Sequence, residues 1–438
     1  MKTDVFISGG GIGGLTLALK LAKCSVDVTV IERLPGPTPV YKGELLQPKS
    51  LQIFDELGLL EDIKANGHVI EELNLLEIDK NAGSIDESNM KYDVVPGQYS
   101  YSLMIHHEKL KEIIREAALA YPSFHYKSNS SCKGFTEGKA IVEDRKDKKE
   151  ELYESSFFIG AEGRASVTRK EMGIEKEENQ YNHHFLTVTF PRPPSFTEGK
   201  IISTFDRFLG LFPLPNNEVR SVYLIPAGEY KDLRKKPIEH FHELYIELCP
   251  EMEGYVNQIP DWKTIQLMVP VAYHTEEYIK GNKALIGDAV HTVHPMAGEG
   301  MNMAIQDGDV LGELLCDMYS QGKLNTENLK WYPHVRRERV KNQMKLSHLS
   351  ALAYSYPYKS VGKLRKRSLM RIEQDPILHF KQMLNISGLG MWEDTIKDRL
   401  IQGGLLPKRS TPLTEQEKED KLFTDRLDYP WKWKEQLV

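Results

Sequence analysis

A glycine-rich turn at residues 9–14 has the spacing of a phosphate-binding loop. It follows an apolar run that predicts a strand and precedes apolar residues at helical spacing, so it joins a strand to a helix. In such a turn Gly9 permits the tight bend, Gly11 the approach of a phosphate and Gly14 close packing of the helix on the strand. The N–H groups and dipole of the helix stabilise the anion. The predicted pyrophosphate contacts are Gly9, Gly11, Ile12, Gly13 and Gly14.

An acidic residue ends the second predicted strand, which spans residues 26–31. This residue, Glu32, lies eighteen positions after Gly14. A carboxylate at this place accepts hydrogen bonds from the ribose hydroxyls of adenosine and repels a 2′-phosphate. The bound dinucleotide is therefore expected to be FAD or NAD rather than NADP.

A second glycine-rich segment lies near residue 300. Residues 283–286 predict a short strand, residues 303–315 predict a helix with an apolar face, and Gly298 and Gly300 stand at the start of that helix. Two glycine-rich helix entries in one chain indicate one long ligand bound at two places. The alternative is a purely structural loop in which Asp288 is a turn residue.

Taken together, these segments resemble the group A flavoprotein monooxygenases, the FAD-dependent hydroxylases of the p-hydroxybenzoate hydroxylase fold. The likeness spans roughly residues 1–320 and rests on three motifs. The first is the glycine turn with Glu32 and Arg33, and the second is Gly287-Asp288-Ala-Val-His291 with the glycines that follow. The third is residues 160–169, in which Glu162 stands where the family has Asp.

The resemblance implies how the second segment would hold FAD. Asp288 would bind ribityl or ribose hydroxyls, and the backbone from Gly298 to Asn302 would face the N1–C2=O edge of the isoalloxazine, where a helix N-terminus stabilises the anionic reduced flavin. The family also uses an Arg, and an Arg or Gln, at the places of Lys42 and His107. The contacts predicted in this way are Arg33, Lys42, His107, Asp288, Pro295, Gly298, Gly300, Met301 and Asn302. No metal site is predicted.

The expected fold class is α/β. It combines a Rossmann-like FAD-binding domain of the GR2 type with an inserted antiparallel β-sheet substrate domain and a helical C-terminal region. Short strand-like runs separated by Pro- and Asn-rich turns predict the inserted sheet. The predicted boundaries are 1–67, 105–180 and 276–335 for the FAD-binding domain, 68–104 and 181–275 for the sheet, and 336–438 for the C-terminal region.

The resemblance implies an FAD-dependent monooxygenase that is reduced by NADPH or NADH. Such an enzyme inserts one oxygen atom from O2 into a small aromatic or lipophilic molecule through a flavin C4a-hydroperoxide. Residues 43–58 look more like the quinone-pathway hydroxylases and squalene epoxidases, which favours a quinone-like or prenylated substrate. The catalytic base is not assigned. The candidates on the inserted sheet are His184, Tyr223 and Tyr273.

Three other functions are open at this stage. A flavin reductase of prenyl double bonds, like the geranylgeranyl reductases, shares the glycine motifs. A flavin-dependent halogenase is weakened because the sequence has no Trp-x-Trp-x-Ile-Pro segment. A redox sensor that holds FAD without turnover is the alternative from a different class.

Composition bounds the partners and the location. With 438 residues, 40% of them hydrophobic, and a net charge of -6, the chain has two or three globular domains and no basic excess for nucleic acid. No run of about 18 apolar residues occurs, so a cytoplasmic protein is expected. The scattered cysteines predict neither a zinc site nor a disulfide framework, and a reducing compartment is the default. They are Cys24, Cys132, Cys249 and Cys316.

A basic segment follows the second glycine motif. Between Val335 and Arg371, eleven Lys or Arg residues accompany one acid, Glu338, and three tyrosines are interleaved. The segment is either a solvated helical face or a surface that docks peripherally on the inner face of an acidic membrane. The sequence does not indicate an oligomeric state.

Overall fold

The computed structural model describes residues 1–38, 43–79 and 83–436. The strands in these residues are β1 (Lys2–Ser8), β2 (Val28–Ile31), β3 (Leu45–Leu46), β4 (His68–Ile70), β5 (Glu72–Asp79), β6 (Ser84–Lys91), β7 (Ser102–Met104), β8 (Phe124–Lys127), β9 (Ser130–Thr136), β10 (Lys139–Asp144), β11 (Glu150–Gly160), β12 (Asn179–Gln180), β13 (His183–Pro191), β14 (Gly199–Ser203), β15 (Phe208–Leu214), β16 (Glu218–Pro226), β17 (Gln266–Met268), β18 (Val271–His274), β19 (Ile279–Lys280), β20 (Lys283–Leu285) and β21 (His291–Thr292). The α-helices are α1 (Ile12–Lys23), α2 (Pro48–Glu56), α3 (Leu60–Ala65), α4 (His107–Leu119), α5 (Val167–Glu171), α6 (Tyr230–Leu233), α7 (Glu239–Leu248), α8 (Gly300–Ser320), α9 (Trp331–Ser355), α10 (Lys359–Gln374), α11 (Pro376–Ser387), α12 (Ile396–Gln402), α13 (Glu415–Glu419) and α14 (Asp425–Asp428).

A mainly parallel sheet carries both glycine motifs. Its order is β19-β20-β11-β1-β2-β8, and the strands from β20 to β8 are parallel. The β9–β10 hairpin pairs antiparallel with β11 through β10. The carboxyl ends of parallel strands meet at one edge of a sheet. The segments after β1, β2, β11 and β20 therefore converge there, and they contain Gly9, Glu32, Glu162 and Asp288.

Helices α1 and α8 pack closely against each other beside this sheet. A Cβ on Gly13 would lie 2.8 Å from the Ala304 carbonyl oxygen, and one on Gly308 would lie 2.6 Å from the Gly13 carbonyl oxygen. Glycine on both helices therefore permits a backbone contact that a side chain would block. Because α1 and α8 each begin at a glycine motif, this contact brings the two motifs together.

The second large sheet differs in detail from the prediction. Its order is β17-β13-β16-β15-β14-β5-β6, and β14 pairs with β5 in parallel, so the sheet is mixed and not wholly antiparallel. Strand β7 pairs instead with β3 and β4, and β18 pairs with β12 and β21. Assigning all of residues 68–104 and 181–275 to one sheet was therefore wrong. The domain boundaries themselves stay a prediction.

The C-terminal region is helical, as expected, and packs back on the rest of the chain. Asp428 forms ion pairs with Lys49 on α2 (2.7 Å) and with Arg339 on α9 (2.5 Å). The Tyr429 hydroxyl donates a hydrogen bond to Asp309 on α8 (2.9 Å). Within the described residues, none of the helices combines the length and apolar composition that crossing a bilayer requires.

One expectation about the cysteines was wrong. Cys24 ends α1, Cys316 lies in α8, and the two form a disulfide. Because 292 residues separate them, their spacing carries no signal, and only the packing of α1 on α8 brings them together. Cys132 and Cys249 are buried thiols.

Candidate functional site

The amino-terminal glycine turn has the shape that a pyrophosphate site requires. Gly9 has φ +118°, and a Cβ there would collide with the Ala161 carbonyl oxygen. A Cβ on Gly14 would collide with the Gly9 carbonyl oxygen, whereas one on Gly11 would meet no atom of the described residues within 4 Å. Gly9 and Gly14 are therefore closed in by protein, and Gly11 faces open space at the N-terminus of α1. The turn fits a bound phosphate, with Ile12 and Gly13 buried behind it.

Glu32 lies beside this turn and stabilises it through hydrogen bonds. Its carboxylate accepts hydrogen bonds from the N–H groups of Gly10 (3.0 Å) and Leu34 (2.8 Å). Each oxygen keeps a lone pair, so the group can still accept bonds from ribose hydroxyls. The Arg33 side chain is exposed, and its carbonyl accepts a hydrogen bond from Arg145.

Asp288 follows β20 at the carboxyl edge of the parallel sheet. Its side chain is exposed, yet the surrounding protein desolvates it enough to raise its pKa. Its own carbonyl accepts a hydrogen bond from the Tyr273 hydroxyl, and Arg169 donates to the neighbouring Ala289 carbonyl (2.7 Å). Two side chains thus hold the backbone of this loop, and neither contact uses the Asp288 carboxyl group.

A buried carboxylate that the sequence analysis missed anchors the same loop. Asp307 on α8 accepts hydrogen bonds from the Gly287 N–H (2.9 Å), His291 Nε2 (2.7 Å) and Arg336 Nε (2.8 Å). Burial alone would raise its pKa, but His291 and Arg336 lower it to about 2. Its sequence signal was present, because Asp307 stands on the apolar face of the predicted helix, where an unpartnered charge would be costly.

Asn302 fixes the start of α8 through its side chain. Its Oδ1 accepts from the Gln47 N–H (2.9 Å) and Ser50 hydroxyl (2.7 Å), and its Nδ2 donates to the carbonyls of Leu45 (3.0 Å) and Gly298 (3.1 Å). This side chain is fully used within the protein, so only its backbone can face a ligand. Nearby, Gly298 has φ +68°, Met301 is buried, and Gly300 is the first residue of α8.

The remaining predicted contacts are less closely grouped. His107 begins α4 and its Nδ1 lies 3.2 Å from the Gly43 carbonyl, whereas Lys42 falls outside the described residues. Glu162 turns back on its own loop, where its carboxylate accepts from the Ser166 hydroxyl (2.6 Å) and from Thr168. It is thereby engaged in capping rather than directed to a ligand.

A cavity of ≈ 590 Å³ lies between the mixed sheet, helices α9 and α10, and residues 295–299. Pro295 itself lines it. Its wall is predominantly apolar and includes Leu73, Met90, Phe185, Phe208, Val222 and Leu369. The loop that enters α8 therefore forms part of the cavity wall.

Three arginines line the cavity, and each contacts a carboxylate; for Arg399 this is Asp394 (3.3 Å). Arg220 contacts Glu44 through Nε (2.8 Å) and Nη2 (2.9 Å), and Arg365 contacts Glu77 through Nε (2.7 Å) and Nη2 (2.8 Å). Burial opposes the charged form of Glu44, but hydrogen bonds from His106 and Arg220 lower its pKa. None of the three arginines is therefore an uncompensated charge for an anionic ligand.

The three candidate bases, all in the described part of the chain, do not line this cavity. Tyr273 supports the Asp288 loop, and the Tyr223 hydroxyl accepts a hydrogen bond from Arg207 (2.6 Å). His184 lies on β13 with a buried Nδ1 that has no partner among the described residues. Sequence alone does not show which side chains of β13 and β16 face the cavity and which lie on the other face of the sheet.

A pair of uncharged histidines supports residues 295–297. Desolvation lowers the pKa of His294 to about 3 and that of His183 to about 4, so both are neutral near pH 7. His294 Nδ1 accepts the Met296 N–H (3.2 Å), so its Nε2 carries the proton and donates to His183 Nε2 (2.9 Å). The hydrogen bond from the loop thus determines which ring nitrogen of these histidines carries the proton.

The structure therefore defines an α/β protein that presents a dinucleotide site beside an apolar cavity. The FAD binding domain family matches residues 2–347. The chain belongs to this family.

Relatives of known activity agree on the class. The 6-methylpretetramide 4-monooxygenase of Streptomyces rimosus is 24% identical over 379 residues, covering 85% of this chain and 90% of the relative. The 3-demethoxyubiquinol 3-hydroxylase of Escherichia coli is 24% identical over 358 residues, covering 77% and 85%. The p-nitrophenol 4-monooxygenase structure from Pseudomonas putida has a TM-score of 0.74 at 17% identity, covering 88% of this chain and 98% of that one.

These likenesses confirm the fold class, the cofactor FAD and an enzyme of the FAD-dependent monooxygenase class, with NAD(P)H as the reductant typical of the family. They do not favour the reductase or sensor alternatives. The individual FAD contacts stay a prediction.

Proposed function

We propose that this monooxygenase transfers one oxygen atom from O2 to an uncharged, apolar aromatic or quinone-like substrate bound in the cavity. The observation that carries the proposal is the apolar cavity that adjoins residues 295–299. These residues belong to the loop before α8 that is predicted to face the flavin, here called the predicted flavin loop. A volume of ≈ 590 Å³ is in the range of drug-sized ligand sites. The pairing of Arg220 and Arg365 with carboxylates supports a neutral substrate.

In the proposed complex, the turn at residues 9–14 holds the pyrophosphate, Glu32 the adenosine ribose and Asp288 the ribityl or ribose hydroxyls. The start of α8 would face the flavin ring, where its N–H groups favour negative charge. Bound FAD, once reduced by NADPH or NADH, supplies the activation of O2, which no side chain can perform.

The protein positions the reacting groups and keeps water away from them. Its apolar wall excludes water from the reacting groups and strengthens the hydrogen bonds inside the cavity. His183 and His294 hold residues 295–297 at the cavity edge without adding positive charge, since both are neutral, while Asp307, paired with Arg336, holds the Asp288 loop.

The reaction can be tested with the purified, FAD-loaded protein. NADPH or NADH oxidation over a panel of phenols, quinolones and prenylated quinones is expected to consume O2 and to give a product heavier by one oxygen atom. With ¹⁸O-labelled O2 the label should enter the product. A product that gains two hydrogens without O2 would indicate the reductase, and a yellow protein that oxidises no NAD(P)H with any compound would indicate the sensor.

We also propose peripheral membrane contact at the cavity rim. Several of the basic residues between Val335 and Arg371 are engaged inside the protein, as Arg336, Arg339 and Arg365 show. Exposed side chains remain around the α9–α10 connection, and Tyr356 and Leu364 among them also line the cavity. The others are Tyr358, Lys359 and Lys363.

The Lys359→Glu, Lys363→Glu double variant is expected to lose most of its sedimentation with vesicles containing phosphatidylglycerol, because each lysine near an anionic surface contributes about 1 kcal/mol. Binding of the unaltered protein should weaken as salt rises. The matched control is Lys146→Glu, Lys149→Glu on the exposed β10–β11 turn. Equal sedimentation of both double variants, or none with the unaltered protein, would contradict this proposal.

A further inference from the structure

Glu299 differs from every other buried carboxylate in the described structure. It is 1% exposed, and neither side-chain oxygen has a hydrogen-bond partner among the described residues. The other buried carboxylates all contact a cation or a histidine. They are Glu44, Glu77, Asp307, Asp309, Asp375, Asp398 and Asp428.

Glu299 lies at the wall of the apolar cavity. It directly precedes α8 and lines the cavity together with Gly298 and Gln47. Gln47 is its polar neighbour: the Gln47 side chain lowers the pKa of Glu299 and so opposes the effect of burial, while the Gln47 Oε1 accepts the Tyr92 hydroxyl (2.9 Å). The group therefore stands at the edge of the cavity that adjoins the predicted flavin loop.

Burial raises the pKa of Glu299 well above its usual range. Burial therefore favours the uncharged acid, which carries one O–H donor and a carbonyl acceptor. Leaving both unsatisfied in an apolar surrounding is unfavourable, so such groups in folded proteins call for a partner.

We infer that Glu299 contacts the substrate: its carboxyl group forms a hydrogen bond with an oxygen substituent of the aromatic ring. This inference rests on the proposed function, since it assumes that an aromatic compound enters the cavity. Glu299 would select hydroxyl- or carbonyl-bearing rings over hydrocarbons of the same size, because most of the remaining cavity wall is apolar. It would also fix which ring position faces the flavin.

The test compares two probes of similar shape, 2-naphthol and 2-methylnaphthalene, on the oxidised FAD-loaded protein without NAD(P)H, so that no turnover occurs. Binding is followed by the change in flavin absorbance. The unaltered protein is expected to bind 2-naphthol at least tenfold more tightly. In Glu299→Met the ratio should fall close to one while 2-methylnaphthalene binds as well or better, and Glu299→Gln, which keeps a donor and an acceptor, should retain most of the preference.

A second measurement separates substrate contact from a structural role. The denaturation midpoint of Glu299→Met is expected to equal or exceed that of the unaltered protein, because an unsatisfied acid is replaced by an apolar side chain of similar size. A lower midpoint, or equal binding of both probes by the unaltered protein, would overturn the role of Glu299 and leave the proposed function standing. If the unaltered protein bound neither probe, the inference and the proposed substrate class would both be overturned.

Discussion

Gly11→Ala is expected to weaken FAD binding at least tenfold while the protein stays as stable as before. Gly14→Ala is expected to lower both the affinity for FAD and the stability of the fold. The two variants add the same methyl group three residues apart. At Gly11 the backbone (φ -75°, ψ 176°) suits any residue, and the new Cβ meets no atom of the described residues within 4 Å. It is therefore expected to obstruct a ligand at the N-terminus of α1.

At Gly14 the new Cβ would collide with the Gly9 carbonyl oxygen, which belongs to backbone and cannot rotate away. Overpacking of this kind costs about 1–3 kcal/mol. FAD titration of the apoprotein and denaturation of the same samples give the two quantities for each variant. Wild-type affinity in Gly11→Ala would show that the pyrophosphate binds elsewhere, and equal stability of the two variants would show that the turn is not tightly packed.

The two glycine motifs were predictable because their signals are local. Residues 9–14 stand between a strand and a helix, and Gly298 and Gly300 stand at a helix start, so spacing alone identifies both. The convergence of their segments follows from the rule that parallel strands end at one sheet edge. For these residues, sequence and structure describe the same arrangement.

Features that depend on distant packing were not predictable. The pairing of β14 with β5 and the disulfide between Cys24 and Cys316 join segments far apart in the chain. The face of the sheet on which Tyr223 lies depends on which partner covers it. Glu299 reads as an ordinary polar residue between two glycines, and only the structure shows it buried without a partner.

Asp307→Asn is expected to destabilise the protein by about 3–5 kcal/mol, because it leaves the buried Arg336 without its counter-charge. It also weakens the hydrogen bonds that hold Gly287 and His291, so FAD affinity is expected to fall about tenfold or more. Denaturation in guanidinium measures the first effect and FAD titration the second.

The effect should depend on pH in a defined direction. The folded-state pKa of Asp307 is lowered to about 2, whereas the unfolded value is about 3.9. The charged form therefore stabilises the fold above about pH 4, and this contribution is lost as the pH falls toward 2. The variant lacks this titration. The difference in free energy of unfolding between the variant and the unaltered protein should therefore decrease as the pH falls from about 4 to about 2.

Two controls separate the buried pair from a general effect of charge. Asp307→Asn combined with Arg336→Met removes both buried charges and should recover part of the lost stability, while FAD affinity stays low because Gly287 and His291 still lack their carboxylate. Glu338→Gln, on the exposed face of α9, should cost less than about 1 kcal/mol. A loss below about 1 kcal/mol in Asp307→Asn itself would mean that the loop bearing Asp288 is held without this carboxylate, and that its other contacts, from Arg169 and Tyr273, suffice to position it.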